Sequence, residues 1–244
     1  MILADAGFDV YLLNSRGMTY SQRHMSLTRN DPAFWKFTTH DIAKFDAPAA
    51  IDKILELNGE AKVFWVGHSQ GTLVGFMMLA ERPEYNSKAY TQMWGPHKIG
   101  SHIPYLNGAT RLICPWFISS EFCKDFVGIL AGPPAKSFNW TRVPLYVSNF
   151  FISTSTWNNS NRNLEYHFDA SPEENLKRYG SVLAPLYNNS NINTDTYLFW
   201  SRSDWLITPQ EIESWLMPKL RPGVTKGSFE VADYNHFDYT LVTD

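Results

Sequence analysis

The pentapeptide Gly67-His68-Ser69-Gln70-Gly71 has the residue types and spacing that surround a catalytic serine. It fits the pattern G-x-S-x-G, in which glycines permit a strained turn from a strand into a helix and the serine hydroxyl stands above the sheet. An apolar strand is predicted directly before this motif and a buried helix directly after it, which is the context that the chemistry requires. We therefore predict that Ser69 is a nucleophile. The alternative is a serine that only caps the helix.

A serine hydroxyl needs a base that accepts its proton and a carboxylate that orients the base. Of the seven histidines, His236 alone follows the last predicted strand, as expected for the chain order serine, acid, histidine. Three carboxylates are candidates for the acid: Asp204, Asp233 and Asp238. We favour Asp204 because it follows a predicted strand by a short loop. Asp233 and Asp238 are so near His236 in sequence that their carboxylates could not readily reach the far side of its imidazole ring. The alternatives are a solvated turn aspartate for Asp204 and a loop histidine for His236.

The predicted elements around these residues alternate between strands and helices. Strands are predicted at Gly7–Leu13, Ala61–Gly67, Lys88–Trp94, Asp195–Trp200 and Ser228–Val231, and helices at Thr39–Leu57, Gly71–Arg82 and Thr208–Leu220. This alternation predicts an α/β fold with a mostly parallel sheet that is covered on both faces. Between residues 96 and 190 the alternation stops, and proline, glycine, asparagine and aromatic residues dominate. We therefore predict a core of residues 1–95 and 191–244 that is interrupted by an insertion at 96–190, longer than a loop of a compact domain.

The composition is that of a globular protein, with 44% hydrophobic and 18% charged residues. A formal net charge of −3 without a basic run gives no reason to expect a nucleic-acid partner. Two cysteines, Cys114 and Cys123, are too few for a metal cluster, although their spacing would allow one local disulfide. We expect neither a metal nor a cofactor, and no apolar run is long enough to span a bilayer.

Three asparagines fit the acceptor pattern for N-glycosylation: Asn139, Asn158 and Asn188. This pattern is typical of secreted proteins and also occurs by chance in other chains. The first seven residues have neither the basic start nor the apolar stretch of a signal peptide.

Six segments of the chain resemble landmark motifs of the gastric and lysosomal acid lipases of animals. They are Leu3–Val10, Asn14–Gly17, Phe34-Trp35, Val66–Thr72, Asp204–Leu206 and Asn235–Asp238. The similarity runs in order along nearly the whole chain, and the serine motif with its flanks is its most specific part. The resemblance implies an α/β-hydrolase core with an inserted cap, and a secreted or lysosomal glycoprotein. It also implies hydrolysis of triglycerides or cholesteryl esters, with neutral lipid esters, fatty acids and a lipid-droplet or micelle interface as partners.

The resemblance assigns roles to individual residues. Ser69, Asp204 and His236 take the roles of nucleophile, acid and base, as inferred above, and the backbone N–H of Gln70 becomes an oxyanion donor.

The resemblance also describes the insertion at 96–190, which corresponds to the cap of the family. It implies a disulfide between Cys114 and Cys123 and glycosylation at Asn139. Seven aromatic residues of the cap would line a passage for acyl chains, or would only pack the core of the cap: Trp116, Phe117, Phe122, Phe126, Phe150, Phe151 and Trp157.

The sequence departs from the family at both ends. Family members begin upstream, with a signal peptide, two or three strands and a His-Gly loop that supplies a second oxyanion donor, and they continue into a terminal helix. We therefore expect an N- and C-terminally truncated sequence, in which a missing strand separates Gly7–Leu13 from Ala61–Val66 and leaves unpaired backbone groups. Loss of one oxyanion donor costs about 10²- to 10³-fold in rate. The alternative function is therefore a catalytically impaired, lipase-like lipid-binding protein, and an acyltransferase with the same triad would have the same sequence pattern.

Overall fold

The computed structural model describes residues 2–94, 128, 131–139, 171–206 and 209–241. These residues form a sheet of four strands in the order β1-β2-β3-β4, and every neighbouring pair is parallel. The strands are β1 at Val63–His68, β2 at Ala89–Trp94, β3 at Thr196–Trp200 and β4 at Thr225–Glu230. Because the strands are parallel, their carboxyl ends share one edge of the sheet. The predicted parallel α/β fold is confirmed.

The described residues contain six α-helices and several shorter helical turns. The helices are α1 at Ile2–Asp5, α2 at Thr39–Asp41, α3 at Ala47–Asn58, α4 at Gln70–Glu81, α5 at Pro172–Tyr179 and α6 at Asp238–Leu241. A π-helical turn at Ile42–Asp46 joins α2 to α3, so the predicted helix at Thr39–Leu57 is present with a local change of pitch. It ends at Gly59, whose φ of 73° is the left-handed conformation that glycine adopts readily at a helix end.

The predicted helix at Thr208–Leu220 differs in form from the observed structure. In its described part, residues 209–220, two α-helical residues at 209–210 precede a π-helical turn at Glu211–Leu216 and a 3-10 turn at Met217–Lys219. Pro218 lies in the second turn and has no N–H to donate, so a regular α-helix cannot continue there without losing a hydrogen bond.

The predicted strand at Gly7–Leu13 is wrong. The chain after α1 follows an irregular path there, and large side chains such as Phe8 and Leu12 are exposed. The sheet order explains this, because β1 is an edge strand whose ladder partner among the described residues is β2. A strand-like sequence without a neighbouring strand has no acceptors and donors for its backbone, so its local preference is not realised. The ring of Phe8 lies edge-on to the ring of Phe64 on β1, with the two ring centroids 6.4 Å apart.

The hydrophobic core lies between one face of the sheet and helix α4, which packs against β1, α3 and the π-helical turn at Ile42–Asp46. Its largest fully buried side chains include Ile51, Leu73, Phe76, Met78, Leu79, Met93 and Leu198. The opposite face of the sheet differs from the prediction that both faces are covered, since Phe64 is 61% and Val66 47% exposed. No helix among the described residues has the length and apolar character to cross a bilayer.

Candidate active site

Ser69 lies in the turn between β1, which ends at His68, and α4, which begins at Gln70. Its φ of 55° and ψ of −116° form a strained conformation for a residue with a side chain. Gly67 makes the turn possible, because a Cβ there would lie 2.7 Å from backbone atoms of Gly71 and Thr72. The strained turn from strand to helix that the motif predicts is therefore present, at the carboxyl edge of the sheet.

Asp204 and His236 form a buried hydrogen-bonded pair at the same edge. Nδ1 of His236 lies 2.9 Å from Oδ2 of Asp204, and each residue is 2% exposed. Asp204 follows β3 after a short loop, and its second oxygen accepts the N–H of Leu206 at 3.0 Å. Because a carboxylate only accepts, Nδ1 of His236 donates in this pair and Nε2 is the ring nitrogen that can take a further proton.

The other two candidate carboxylates occupy different positions. Asp238 begins α6, and its Oδ2 accepts the backbone N–H groups of Asn235 at 2.6 Å and Ala135 at 2.9 Å. Burial raises the pKa of Asp238, which means that its charged form is poorly solvated. Asp233 is exposed and has a φ of 59°. Of the three carboxylates, Asp204 is the one that the structure brings to the imidazole.

His68 connects the serine turn to His236. Its Nε2 donates to the backbone carbonyl of His236 at 2.8 Å, and the two imidazole rings lie 4.9 Å apart. Burial lowers the pKa of His68 to about 3, with the neighbouring His236 ring acting in the same direction. His68 is therefore a neutral donor over most of the acidic range. This contact was not predicted from the sequence, where the available signal was a polar ring between the glycine and the serine of the motif.

Gln70 begins α4, so its backbone N–H has no acceptor within the helix and lies at the positive end of the helix dipole. This is the chemistry expected of an oxyanion donor. Its side chain turns to Thr39, where Nε2 donates to the hydroxyl at 3.3 Å. The serine turn is thereby tied to the start of α2.

The remaining predicted site residues lie partly outside the described residues, among them Cys114, Cys123, Asn158 and all seven aromatic residues of the expected acyl passage. Asn139 is half-buried and its N–H donates to the carbonyl of Leu241 at 2.8 Å. Asn188 is exposed, and its Oδ1 accepts the hydroxyl of Ser190 at 2.6 Å. The described part of the chain contains no group of histidine, cysteine and carboxylate side chains that could hold a metal ion.

Comparison with known proteins agrees with this geometry. Residues 2–104 match the family profile described as alpha/beta hydrolase fold. The chain is 30% identical to lipase lipl-1 of Caenorhabditis elegans over 98% of its own length and 69% of that lipase. Human lipase member J is 30% identical over 97% of this chain and 74% of its own. The crystal structure of VinJ superposes on 98% of the chain and 78% of its own with a TM-score of 0.54 at 13% identity, a likeness of fold alone.

Proposed function

Because this chain belongs to the animal acid lipase family, we propose that it hydrolyses triglycerides or cholesteryl esters with Ser69 as the nucleophile. The broader reaction class follows from the fold and the relatives, which are named lipases: the chain is an ester hydrolase. The identity of the ester and the roles of individual side chains form the proposal.

In the proposed reaction, Oγ of Ser69 attacks the ester carbonyl while Nε2 of His236 accepts the hydroxyl proton. Asp204 holds the ring through Nδ1 and stabilises the imidazolium that forms. The backbone N–H of Gln70 donates to the oxyanion of the tetrahedral intermediate. His236 then returns the proton to the leaving alcohol, and an acyl-serine ester remains. Water attacks this ester by the same route and releases the fatty acid.

The observation that carries the proposal is the buried hydrogen bond of 2.9 Å between Asp204 and His236. Two loops that follow different strands meet there, at the edge of the sheet where Ser69 occupies its strained turn. A buried acid–base pair of this kind is costly unless it is functional or well compensated. The bond from His68 to His236 supports a position of the base next to the serine turn.

Residues 96–190 form, in this proposal, a cap inserted into the core. β2 ends at Trp94 and its neighbour β3 begins at Thr196, so about a hundred residues connect two adjacent parallel strands. An ordinary crossover needs far fewer. A cap over the serine would supply the apolar surface that binds acyl chains at a lipid interface.

The test is hydrolysis of a fluorogenic long-chain ester near pH 5 by the wild-type chain and by Ser69→Ala. We expect no turnover above background in the variant, while the exposed control Ser87→Ala keeps wild-type activity. Equal turnover by Ser69→Ala would remove Ser69 from the mechanism. Fatty-acid binding without turnover by the wild type would instead select the lipid-binding alternative. Parallel assays with triolein and cholesteryl oleate decide which ester is preferred.

Secretion or delivery to the lysosome is part of the same proposal. Asn188 is exposed, as an acceptor of N-glycan must be, and lysosomal and secreted proteins both pass through the compartment where glycans are added. Expression in an animal cell followed by glycosidase treatment tests this point. A mobility shift that is reduced in Asn188→Gln is the expected result, and an unchanged mobility of the wild type on glycosidase treatment would contradict the proposal.

A further inference from the structure

One backbone oxygen joins two loops that each carry a member of the hydrogen-bonded pair. We call residues 201–206, which contain Asp204, the acid loop and residues 231–237, which contain His236, the base loop. The carbonyl of Ala131 accepts the N–H of Trp205 at 3.3 Å and the N–H of His236 at 3.2 Å. Trp205 directly follows Asp204, so the two donors belong to the acid loop and the base loop. Ala131 itself is fully buried and lies within the insertion at 96–190. A third part of the chain therefore contacts both loops through a single oxygen.

Gly132 fits between the same two loops. Its carbonyl accepts Nδ2 of Asn235 at 3.0 Å, next to His236. Its φ of 96° is unfavourable for any residue with a side chain, and a Cβ at this position would overlap the carbonyl oxygen of Ser203, next to Asp204. The close approach of Gly132 to the acid loop therefore depends on the absence of a side chain.

The segment that follows is attached to the base side at two further points. Ala135 donates its N–H to Oδ2 of Asp238 at 2.9 Å, and Asn139 donates to the carbonyl of Leu241 at 2.8 Å. Residues 131–139 thus contact both the base loop and helix α6. Both loops continue beyond the sheet, because β3 ends at Trp200 and the N–H of Val231, just after β4, donates to the carbonyl of Trp200 at 2.7 Å.

We propose that Ala131 and Gly132 are positioning residues for ester hydrolysis, which hold the loops of Asp204 and His236 at the separation that their hydrogen bond requires. The inserted segment thereby takes part in the geometry of the acid–base pair and does more than cover it. This inference rests on the proposed function for its effect on rate. Its effect on the hydrogen bond of the pair is independent of any substrate.

The test uses Gly132→Ala in the full chain, with Gly223→Ala as a matched control. Gly223 has a φ of 82°, and a Cβ there would have no atom within 4 Å, so both variants carry the backbone strain but only one meets the acid loop. Asn235→Asp is a second variant, because it keeps the acceptor oxygen for the N–H groups of Phe237 and Asp238 but loses the donor to Gly132.

The first readout is the Nδ1 proton of His236 in the NMR spectrum of protein labelled with ¹⁵N-histidine, assigned by its loss in Asp204→Ala. We expect this resonance to shift or disappear in Gly132→Ala and in Asn235→Asp, and to remain in Gly223→Ala. The second readout is steady-state kinetics, where we expect kcat to fall about 10²-fold with KM within about twofold, since a displacement near 1 Å in a catalytic group has this cost.

The outcomes separate this inference from the proposed function. If the wild type shows the resonance but no esterase activity, the proposed function fails and the spectroscopic test of Gly132 still stands. If Gly132→Ala and Asn235→Asp lower only the thermal stability, with the resonance and kcat unchanged, the two residues are merely structural and the inference is overturned.

Discussion

Nε2 of His68 donates a hydrogen bond of 2.8 Å to the backbone carbonyl of His236. The donor immediately precedes Ser69, and the acceptor belongs to the residue whose ring pairs with Asp204. The ring of His236 is thus held by Asp204, and the backbone of His236 is held by His68. This arrangement links the serine turn to the loop of His236 without using the side-chain atoms that are proposed to take part in catalysis.

The first prediction concerns this link. His68→Phe keeps a flat ring of similar size but removes the donor, so the carbonyl of His236 loses a partner that contributes about 0.5–1.5 kcal/mol. We expect kcat for a soluble ester to fall about tenfold, with KM little changed. The lost hydrogen bond positions the backbone of His236 and does not contact the substrate.

The rescue variant for this prediction is His68→Gln, whose amide can donate to the same carbonyl. We expect it to recover part of the lost kcat. Wild-type kcat in His68→Phe would show that the hydrogen bond has no part in positioning His236.

The second prediction is a dependence of stability on pH. Burial lowers the pKa of His68 to about 3, and an unfolded histidine titrates near 6.5. Between these values the unfolded chain binds the additional proton, so the free energy of unfolding falls as the pH decreases from about 6.5 towards 3. His68 faces His236, through ring and carbonyl, and the ring of Tyr239, whose ordinary pKa lies above this interval and is raised further by burial.

Urea unfolding at pH 7 and pH 4.5 measures this contribution by comparison with His68→Gln, which cannot titrate. We expect the wild type to lose on the order of 2 kcal/mol more than the variant over this interval, since each unit of pKa shift corresponds to about 1.4 kcal/mol. An equal loss in both proteins would mean that His68 is not held neutral in the folded state.

The sequence predicted the residues that the strands deliver to one edge of the sheet. Ser69 and Asp204 each follow a strand with a local apolar pattern, whereas His236 follows β4, whose one large apolar side chain is Phe229. The chain order of the roles proposed for them is the order expected for this fold. Local sequence patterns did not predict the structure correctly where a segment needs a neighbouring strand in order to form a strand itself. Gly7–Leu13 has the composition of a strand, but the described part of the chain offers it no neighbouring strand to pair with, and its path is irregular.

The pairing of Asp204 with His236 was predicted from their roles, but other contacts between distant parts of the chain were not. The bond from His68 to His236 and the shared carbonyl of Ala131 join segments whose separation in sequence carries no periodic signal. The π-helical turn at Ile42–Asp46 was also missed, because its apolar spacing is that of an ordinary helix. The sequence shows a glycine at position 132 but does not show why a side chain is excluded there. The reason is the carbonyl of Ser203, which lies close to Gly132 in the folded chain.

The third prediction separates the two glycines of the serine motif. A Cβ on Gly67 would lie 2.7 Å from the backbone of Gly71 and Thr72, whereas a Cβ on Gly71 would have no atom within 4 Å outside its own helix. We expect Gly67→Ala to destabilise the protein by about 1–3 kcal/mol through overpacking. Gly71→Ala should be neutral or stabilising by up to about 1 kcal/mol, because alanine favours the helix. Chemical denaturation of the two variants measures this difference, and equal destabilisation by both would refute the assignment of the close approach to Gly67.

The fourth prediction separates the carboxylates that the sequence left as candidates. In Asp204→Asn the amide no longer stabilises an imidazolium and favours the wrong tautomer of His236, so we expect kcat to fall about 10³- to 10⁴-fold with the fold intact. Asp238→Asn is the matched control, because its amide oxygen can still accept the N–H groups of Asn235 and Ala135.

Burial raises the pKa of Asp238, so the folded state favours the neutral carboxyl, and the stability that this provides at low pH is lost as the pH rises through the raised value. A neutral amide removes that cost, and Asp238→Asn should therefore be as stable as the wild type or more stable at pH 7, with kcat within a few-fold. Circular dichroism melts and ester kinetics on the two variants make the comparison. If Asp238→Asn lost as much activity as Asp204→Asn without unfolding, Asp238 would have to be counted with the acid–base pair, and the assignment of Asp204 as the sole orienting carboxylate would be wrong.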